Sequence, residues 1–109
     1  NSGHWTIEGC HTSQFEQHVR AVLGEPLGTT AIRDPTVSAN ILGDVTERQQ
    51  ATLNGEESVL STDRAHLHWY GKREVYDLRK MGHVTVTGED RDELLAGVRG
   101  LRDGLTFRQ

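Results

Sequence analysis

The feature that most constrains the fold is a basic stretch that runs directly into an alternating segment. Residues 72–83 carry five cationic side chains, counting His83 as protonated, in a chain whose formal net charge is −4. Val84 and Val86 follow at once, and their alternation predicts a strand over residues 84–87. A basic loop that enters a half-buried strand suits anion binding, because the strand fixes the backbone and the loop directs the donors. The same residues also fit a solvated surface turn, so this segment alone leaves both interpretations open.

Composition limits the size and class of the protein. A chain of 109 residues is one domain, or one domain with the edge of another, and it can bury a modest core. Only 34% of residues are hydrophobic and 12 are glycine, so we expect many loops. The acidic balance argues against a nucleic-acid-binding or membrane-binding surface. The single cysteine, Cys10, cannot form an internal disulfide, and no apolar run spans a bilayer. We therefore expect a cytoplasmic protein, and the opening at Asn1 suggests an excised piece.

The sequence of the first half of the chain predicts one helix and one strand. Ser13 and Glu16 form a capping box, and apolar side chains then recur at helical spacing until Gly24 ends the helix. Residues 25–35 are predicted to be loop. Residues 36–42 alternate well enough for a strand.

The second half is predicted to contain a strand and a closing helix. Residues 44–64 are polar, with a short surface helix predicted at residues 47–53. Residues 65–70 alternate as a strand. A capping motif at Asp90 opens the closing helix, which carries two internal glycines that each cost about 1 kcal/mol relative to Ala. The stability of this helix must therefore come from packing on the sheet.

Four sequence segments occur in a fixed order along the chain. They are residues 1–6 (NSGHWT), 12–21 (TSQFEQHVRA), 67–72 (LHWYGK) and 79–86 (RKMGHVTV). Together they resemble the C-terminal part of the 5-(carboxyamino)imidazole ribonucleotide synthase family, ATP-grasp enzymes of purine biosynthesis. The resemblance runs from residue 1 to about residue 87, apart from residues 44–64. In one departure, Tyr76, Asp77 and Leu78 replace the usual Arg-Pro-Gly of this family, which removes a cation and two turn-forming residues.

The resemblance implies an α+β fold in two parts. Residues 1–24 would be the C-terminal edge of an ATP-grasp domain. Residues 25–109 would be a small β-rich C-terminal domain, similar to a hybrid motif and closed by a helix. The resemblance also implies that the full-length enzyme is a homodimer.

Two cations match those that hold the ribonucleotide phosphate in the resembled family. They are Lys72 and Arg79, and a phosphate suits a compact ammonium combined with a planar guanidinium fork. Lys80 is adjacent to Arg79 but would point to the opposite side of an extended backbone, so both cannot serve one site. We therefore expect Lys72 and Arg79 to form a phosphate clamp.

The first residues of the chain match the run that borders the aminoimidazole substrate in this family. Asn1, Ser2 and His4 supply an amide, a hydroxyl and an imidazole, which can bind a polar heterocycle without adding charge. The alternative is that these are frayed terminal residues without a function.

The activity implied by the resemblance belongs to the full-length enzyme. That enzyme would use ATP and bicarbonate to make carboxyphosphate, and would then carboxylate the exocyclic amine of 5-aminoimidazole ribonucleotide. The chain has no glycine-rich phosphate loop and no paired carboxylates at catalytic spacing. We therefore expect ATP and Mg²⁺ to be bound mainly outside it, and the isolated chain to be inactive, with no catalytic residue assigned. The alternative is a non-catalytic interaction or oligomerisation module, which the altered residues 76–78 favour.

Two other chemistries deserve comparison with this prediction. His66, His68 and His83 could supply three zinc ligands from neighbouring strands, but their spacing fits no recognised zinc pattern. Satisfied or solvent-facing histidines are the better interpretation, and no metal site is predicted. A nucleophilic pair of Cys10 and His11 is rejected, because adjacent residues on a strand point to opposite faces.

Overall fold

Four helices and five strands occur in residues 2–107, the part of the chain that the computed structural model describes. In chain order they are α1 (Thr6–Gly9), α2 (Gln14–Leu23), β1 (Thr36–Leu42), β2 (Gln49–Gln50), α3 (Glu56–Leu60), β3 (Ala65–Trp69), β4 (Glu74–Val75), β5 (Lys80–Thr87) and α4 (Arg91–Asp103). The strands β1, β5 and β3 form an antiparallel sheet with β5 at its centre, and β2 pairs with β4 separately. The predicted α+β class, with an antiparallel sheet closed by a C-terminal helix, is confirmed. None of the helices in this range is both long and apolar enough to cross a membrane.

One face of the three-stranded sheet is apolar and carries the core. Val84 lies opposite Ala39 on β1 and opposite Leu67 on β3. Helix α4 packs against β1 and β5 and contributes Val98 to the same cluster. The buried apolar side chains are Ile41, Val45, Val59, Val75, Met81, Val84, Val86, Val98, Leu105 and Phe107. The closing helix is therefore stabilised by the sheet, as its internal glycines require.

The opposite face of the sheet is polar and carries the N-terminal segment. His83 lies opposite Asn40 on β1 and opposite His68 on β3. His4 stacks on His83, and Glu8 of α1 contacts His68. The N-terminal segment thus meets strands β3 and β5 on this face.

A β-bulge interrupts the alternation at the start of β5. The pairing register with β1 shifts there, and Met81 is the extra residue. Met81 and Val84 both belong to the core, although residues three apart lie on opposite faces of a regular strand. The bulge therefore places Lys80 on the polar face with His83.

Residues 76–79 form a tight turn that packs on Gly43. The Arg79 amide donates to the Tyr76 carbonyl at 3.0 Å, and Leu78 has a positive φ of 62°. A positive φ at the third position alone is the pattern of a type II turn, which prefers glycine there. A Cβ on Gly43 would lie 1.9 Å from the Tyr76 oxygen, so only glycine fits beneath this turn. The departure at residues 76–78 therefore keeps a turn but places a leucine in a left-handed conformation.

The local predictions succeed where caps and spacing are strong. Ser13 caps α2 by accepting from the Glu16 amide at 3.0 Å, and Gly24 ends it with a φ of 72°. Strand β1 occupies the predicted residues 36–42. The strand predicted at residues 84–87 begins earlier, at Lys80.

The helix predicted at residues 47–53 is wrong. Gln49 and Gln50 instead pair with Val75 and Glu74 as a short ladder. The nearby helix α3 begins only at Glu56, and its Val59 is fully buried. Partners distant in sequence, rather than local propensity, decide the structure of this segment.

The segment between α2 and β1 is attached to the N-terminal part. The Gln17 side chain donates to the Gly28 carbonyl at 2.8 Å and accepts from its amide at 2.9 Å. Ile32 forms an isolated bridge with Cys10. These contacts join residues 28–32 to α2 and to Cys10, which directly follows α1.

Candidate functional site

His4, Tyr70 and His83 form a hydrogen-bonded cluster on the polar face of the sheet. The Tyr70 hydroxyl oxygen lies 2.8 Å from His83 Nδ1 and 3.1 Å from His4 Nδ1. The rings of His4 and His83 stack with their centroids 4.5 Å apart. Since these residues come from three separate segments, only the folded chain brings them together.

His68 extends the stack on the β3 side of His83. The two ring centroids are 4.3 Å apart and the ring planes differ by 10°. This stack follows from strand pairing, because His68 and His83 are direct partners in the β3–β5 ladder. His68 Nε2 lies 2.7 Å from Glu8 Oε1. Three imidazole rings therefore lie in a row, with His83 in the middle.

The environment holds His83 and His4 in their neutral forms. His83 is 2% exposed, and burial, followed by the nearby His68 and His4, lowers its pKa to about 4. Its Nε2 is buried without a hydrogen-bond partner. Burial is also the main cause that lowers the pKa of His4, with a smaller contribution from the positive charge of Lys80. Both rings are therefore uncharged at neutral pH.

His4 also lines a groove of about 610 Å³ beside the sheet. The groove is lined by Ser2, His4, Trp5, Ile32, Asp34, Pro35, Thr36, Val37, Ser38, Asn40 and Arg91. Its mixture of apolar walls and hydrogen-bonding side chains is typical of small-molecule sites. Of the predicted substrate-binding residues, Ser2 and His4 are thus brought to one concave surface, and Asn1 lies outside the described residues.

The predicted phosphate clamp is only partly assembled. The Lys72 ammonium donates to the Lys80 carbonyl at 2.6 Å and lies 5.8 Å from the centroid of the Tyr70 ring. The Arg79 guanidinium instead donates to the Glu74 carbonyl at 2.8 Å. It also packs over the Tyr76 ring, 5.0 Å from its centroid. Lys72 thus lies near Tyr70, a member of the histidine cluster, whereas Arg79 contacts Glu74 and Tyr76 instead.

The argument that turned Lys80 away from the site fails on two counts. Arg79 closes a turn and lies outside β5, so strand alternation does not relate its direction to that of Lys80. The bulge at Met81 also reverses the alternation that follows. Lys80 is therefore a second cation near His4, and its charge contributes to the lowered pKa of His4. Sequence reasoning had dismissed Lys80.

Tyr70, His83, Glu8 and His68 belong to the candidate site, and sequence reasoning assigned none of them to a substrate, weighing His68 and His83 only as zinc ligands. Tyr70 and His83 both lie inside the motif segments at residues 67–72 and 79–86, so the signal was present. Glu8 and His68 meet only because α1 packs on the sheet, against β5. No sequence spacing predicts that pair.

One group of three potential metal ligands occurs in the described part of the chain. Ligand atoms of Glu8, His68 and His83 all lie within 4.8 Å of one another, so this group contains Glu8 in place of the His66 that was considered and set aside from the sequence. An imidazole lone pair lies in the plane of its ring, and the two ring planes are almost parallel. The lone pairs of His68 and His83 therefore cannot converge on one ion in this arrangement. Mg²⁺, which prefers oxygen ligands, does not fit these two imidazoles either.

Comparison with known proteins identifies the relatives of this chain. The family model for the phosphoribosylaminoimidazole carboxylase C-terminal domain matches residues 36–97. The chain is 48% identical over 94 residues to the N5-carboxyaminoimidazole ribonucleotide synthase of Vibrio parahaemolyticus, covering 86% of the chain and 22% of that protein. It is 46% identical over 93 residues to the enzyme of the same name from Bacillus subtilis, covering 85% of the chain and 23% of the relative. The chain thus spans less than a quarter of these relatives.

Solved structures of similar proteins have the same fold. The N5-carboxyaminoimidazole ribonucleotide synthetase of Thermotoga maritima superposes with a TM-score of 0.91 at 43% identity, covering 97% of this chain and 30% of that one. The N5-carboxyaminoimidazole synthase of Aspergillus clavatus, solved with ADP and 5-aminoimidazole ribonucleotide, gives a TM-score of 0.76 at 37% identity. That match covers 95% of this chain and 28% of the Aspergillus chain.

Proposed function

Since this chain belongs to the phosphoribosylaminoimidazole carboxylase C-terminal domain family, we propose that the protein carrying it is an ATP-dependent ligase of purine biosynthesis. In the proposed reaction, ATP and bicarbonate form carboxyphosphate, and the exocyclic amine of 5-aminoimidazole ribonucleotide is then carboxylated. The names of the relatives support this class of reaction. The Aspergillus clavatus relative, solved with ADP and 5-aminoimidazole ribonucleotide, supports the substrate.

The single observation that carries the proposal is the position of Tyr70 between His4 and Lys72. The hydroxyl of Tyr70 contacts His4 Nδ1 at 3.1 Å, and its ring lies 5.8 Å from the Lys72 ammonium. A residue proposed to bind the aminoimidazole and one proposed to bind the phosphate thus flank one side chain. A ribonucleotide carries both groups, joined by a ribose. This proximity supports one continuous substrate site at the polar face of the sheet.

We propose that Ser2 and His4, with Asn1, border the heterocycle. The neutral state of His4 suits this role, because a neutral imidazole can form a hydrogen bond with an aminoimidazole without repelling a cationic group nearby. Ser2 lines the same groove and offers a hydroxyl that can donate or accept. Asn1 is included on the resemblance alone.

We propose that Lys72 and Arg79 hold the phosphate. For Arg79 this requires its guanidinium to leave the Glu74 carbonyl and the Tyr76 ring, both of which are surface contacts. Lys80 is the competing second cation, since it shares the polar face with His83. A phosphate dianion in this place would be bound by charge-assisted hydrogen bonds, which are about twice as strong as neutral ones.

ATP and Mg²⁺ are proposed to bind mainly outside this chain. The group of potential metal ligands in the described residues, Glu8, His68 and His83, contains two imidazoles, which do not suit Mg²⁺. Bicarbonate as the carboxyl source and a homodimeric assembly are also proposed from the resemblance. The isolated chain is accordingly proposed to be inactive.

The proposed division of the chain places residues 1–24 in the ATP-grasp domain and residues 25–109 in the C-terminal domain. The hydrogen bonds between Gln17 and Gly28 cross this boundary. The family match begins at residue 36, which favours assigning residues 25–35 to the N-terminal part.

ADP release by the purified full-length protein tests the proposed function. We expect ADP to form only when ATP, bicarbonate and 5-aminoimidazole ribonucleotide are all present, and omission of any one to abolish it. His4→Ala should reduce kcat/KM for the ribonucleotide, whereas His66→Asn, a change at an exposed histidine of the same strand as His68, should not. Ribonucleotide-independent ADP release, or none at all, would refute the ligase assignment.

A non-catalytic interaction module is the second candidate. The apolar side chains of α2 favour it, because Phe15, Val19, Val22 and Leu23 are 46 to 73% exposed and α2 buries no residue. An exposed apolar face of this kind is typical of a surface that another domain or protein covers. In the ligase, the remainder of the same protein would cover it. The ADP assay separates the two candidates.

A further inference from the structure

Arg79 is held by two groups that are close to it in the sequence. Its guanidinium donates to the Glu74 carbonyl at 2.8 Å and packs over the Tyr76 ring, 5.0 Å from the ring centroid. Neither group carries a formal charge, and no carboxylate within residues 2–107 forms an ion pair with Arg79. The positive charge of Arg79 is therefore held in place but left available for an anion.

A second guanidinium lies over the same tyrosine ring. Arg48 lies 4.7 Å from the centroid of the Tyr76 ring and forms an ion pair with the Glu74 carboxylate at 3.3 Å. Arg48 directly precedes β2, whose Gln50 pairs with Glu74 in the short ladder. Arg48 thus connects the two residues that hold Arg79. Its own charge is already paired with Glu74, so Arg79 is the guanidinium that remains free to bind an anion.

The two cations of the proposed phosphate clamp are bound to the carbonyl groups of different residues. The Lys72 ammonium donates to the Lys80 carbonyl at 2.6 Å and lies 5.8 Å from the centroid of the Tyr70 ring. Lys72 is therefore already beside the histidine cluster. The Arg79 donor is directed at the Glu74 carbonyl instead, so Arg79 is the cation that has to leave its partners to bind the phosphate.

We propose that Arg48, Glu74 and Tyr76 form a latch that holds Arg79 out of the phosphate clamp until the ribonucleotide binds. Tyr76 and Arg48 are then positioning residues that act on the substrate only through Arg79. A cation–π contact at an exposed site is weak, so a phosphate, which forms charge-assisted hydrogen bonds with a guanidinium, can displace it. Release of the latch lowers the affinity for the ribonucleotide, because only the released state binds its phosphate. This inference rests on the proposed phosphate role of Arg79.

The latch can be tested without any activity. The arginine Nε–Hε NMR signals of the full-length protein report the ring current of a nearby tyrosine, and Arg79→Lys and Arg48→Lys identify the two signals. We expect both signals upfield of their positions in Tyr76→Leu, whereas Tyr76→Phe, which keeps the ring, should retain the wild-type positions. Adding 5-aminoimidazole ribonucleotide should move the Arg79 signal downfield and leave the Arg48 signal in place. An Arg79 signal that Tyr76→Leu does not alter, or that does not move while the ribonucleotide binds, overturns the proposal.

Steady-state kinetics measure what the latch costs in substrate binding. Tyr76→Leu should lower KM for the ribonucleotide about two- to fivefold, the factor that corresponds to one exposed cation–π contact, with KM for ATP unchanged. In the Arg79→Ala background the same change should have no effect, because no guanidinium is left to release. An unaltered or raised KM in Tyr76→Leu, or an equal decrease in both backgrounds, overturns the proposal. If the full-length protein has no ligase activity, the proposed function fails, and the spectra of the free protein still decide whether Tyr76 holds Arg79.

Discussion

His68 lies directly opposite His83 in paired strands, with ring centroids 4.3 Å apart and ring planes 10° from parallel. Strand register fixes this relationship, since direct partners in an antiparallel ladder project to the same face. The stack presents flat ring faces to one another and directs the ring nitrogens toward Glu8 and Tyr70. In this arrangement the cluster is organised for hydrogen bonding, and its two stacked rings do not direct their lone pairs at one ion.

Chelation should leave the stability of the protein unchanged. The nearly parallel rings of His68 and His83 cannot both direct a lone pair at one ion, so no bound metal contributes to folding. Thermal unfolding with and without a strong chelator measures this directly. A lower melting temperature after chelation, restored by one equivalent of zinc and absent in His68→Asn, would show that the rings rotate to bind a metal.

Stability should fall as the pH drops from about 6.5 to about 4. The pKa of His83 is lowered from 6.5 to about 4 in the folded protein, so between these values the unfolded chain binds more protons. By linkage, unfolding takes up protons in this range, so the free energy of unfolding falls as the pH is lowered from 6.5 to 4. The loss is at most about 3 kcal/mol. Urea midpoints at several pH values measure the slope. His83→Asn should flatten it, and His66→Asn should not.

Replacing Leu78 by glycine should stabilise the turn at residues 76–79. Leu78 adopts a φ of 62°, a conformation that costs a residue with a Cβ about 1 to 2 kcal/mol and costs glycine little. The unfolding midpoint of Leu78→Gly should therefore rise. Asp77→Gly is the matched control, because Asp77 is not among the residues with positive φ and glycine there adds only unfolded-state entropy. A rise for Asp77→Gly and none for Leu78→Gly would contradict the assigned turn.

The phosphate clamp should be visible in substrate affinity. In the full-length enzyme, Lys72→Ala and Arg79→Ala should each raise KM for 5-aminoimidazole ribonucleotide about ten- to hundredfold, with a much smaller change for ATP. The phosphate is remote from the reacting amine, so its binding energy is available in both the ground state and the transition state. The double variant should be less than additive if both cations hold one phosphate.

Lys80→Ala identifies the second cation of this clamp. The bulge at Met81 leaves Lys80 on the polar face with His83, so its exclusion by strand alternation no longer holds. If Lys80→Ala raises KM for the ribonucleotide and Arg79→Ala does not, Lys80 replaces Arg79 in the clamp. Steady-state kinetics with each substrate varied in turn distinguish the two assignments.

The isolated chain should not hydrolyse ATP. It lacks a glycine-rich phosphate loop, and its described residues offer no oxygen-rich site for Mg²⁺. Phosphate release from ATP by the purified chain, with and without Mg²⁺, should equal the rate without protein. A Mg²⁺-dependent rate that scales with protein concentration would mean that a nucleotide site lies within the chain.

The sequence by itself determined the elements whose signals are local. Ser13 and Gly24 delimit α2 because capping and the left-handed C-terminal position depend only on neighbouring residues. Residues 36–42 form a strand as their alternation predicts, and Asp90 caps α4 by accepting from the amide of Asp92 at 2.9 Å. The ordered motifs likewise led to the family that the comparisons identify.

Only the tertiary structure decided how those motifs meet. Strand β5 begins at Lys80 because its backbone pairs with β1 from there and with β3 from Gly82 onward, whatever the pattern of its side chains. The helix predicted at residues 47–53 gives way to a ladder with β4, a partner that no local window contains. The contact of Tyr70 with His4 and His83 arises when the N-terminal segment packs on the polar face of the sheet. Periodicity and capping act over a few residues, whereas register, bulges and side-chain clusters depend on contacts between distant segments.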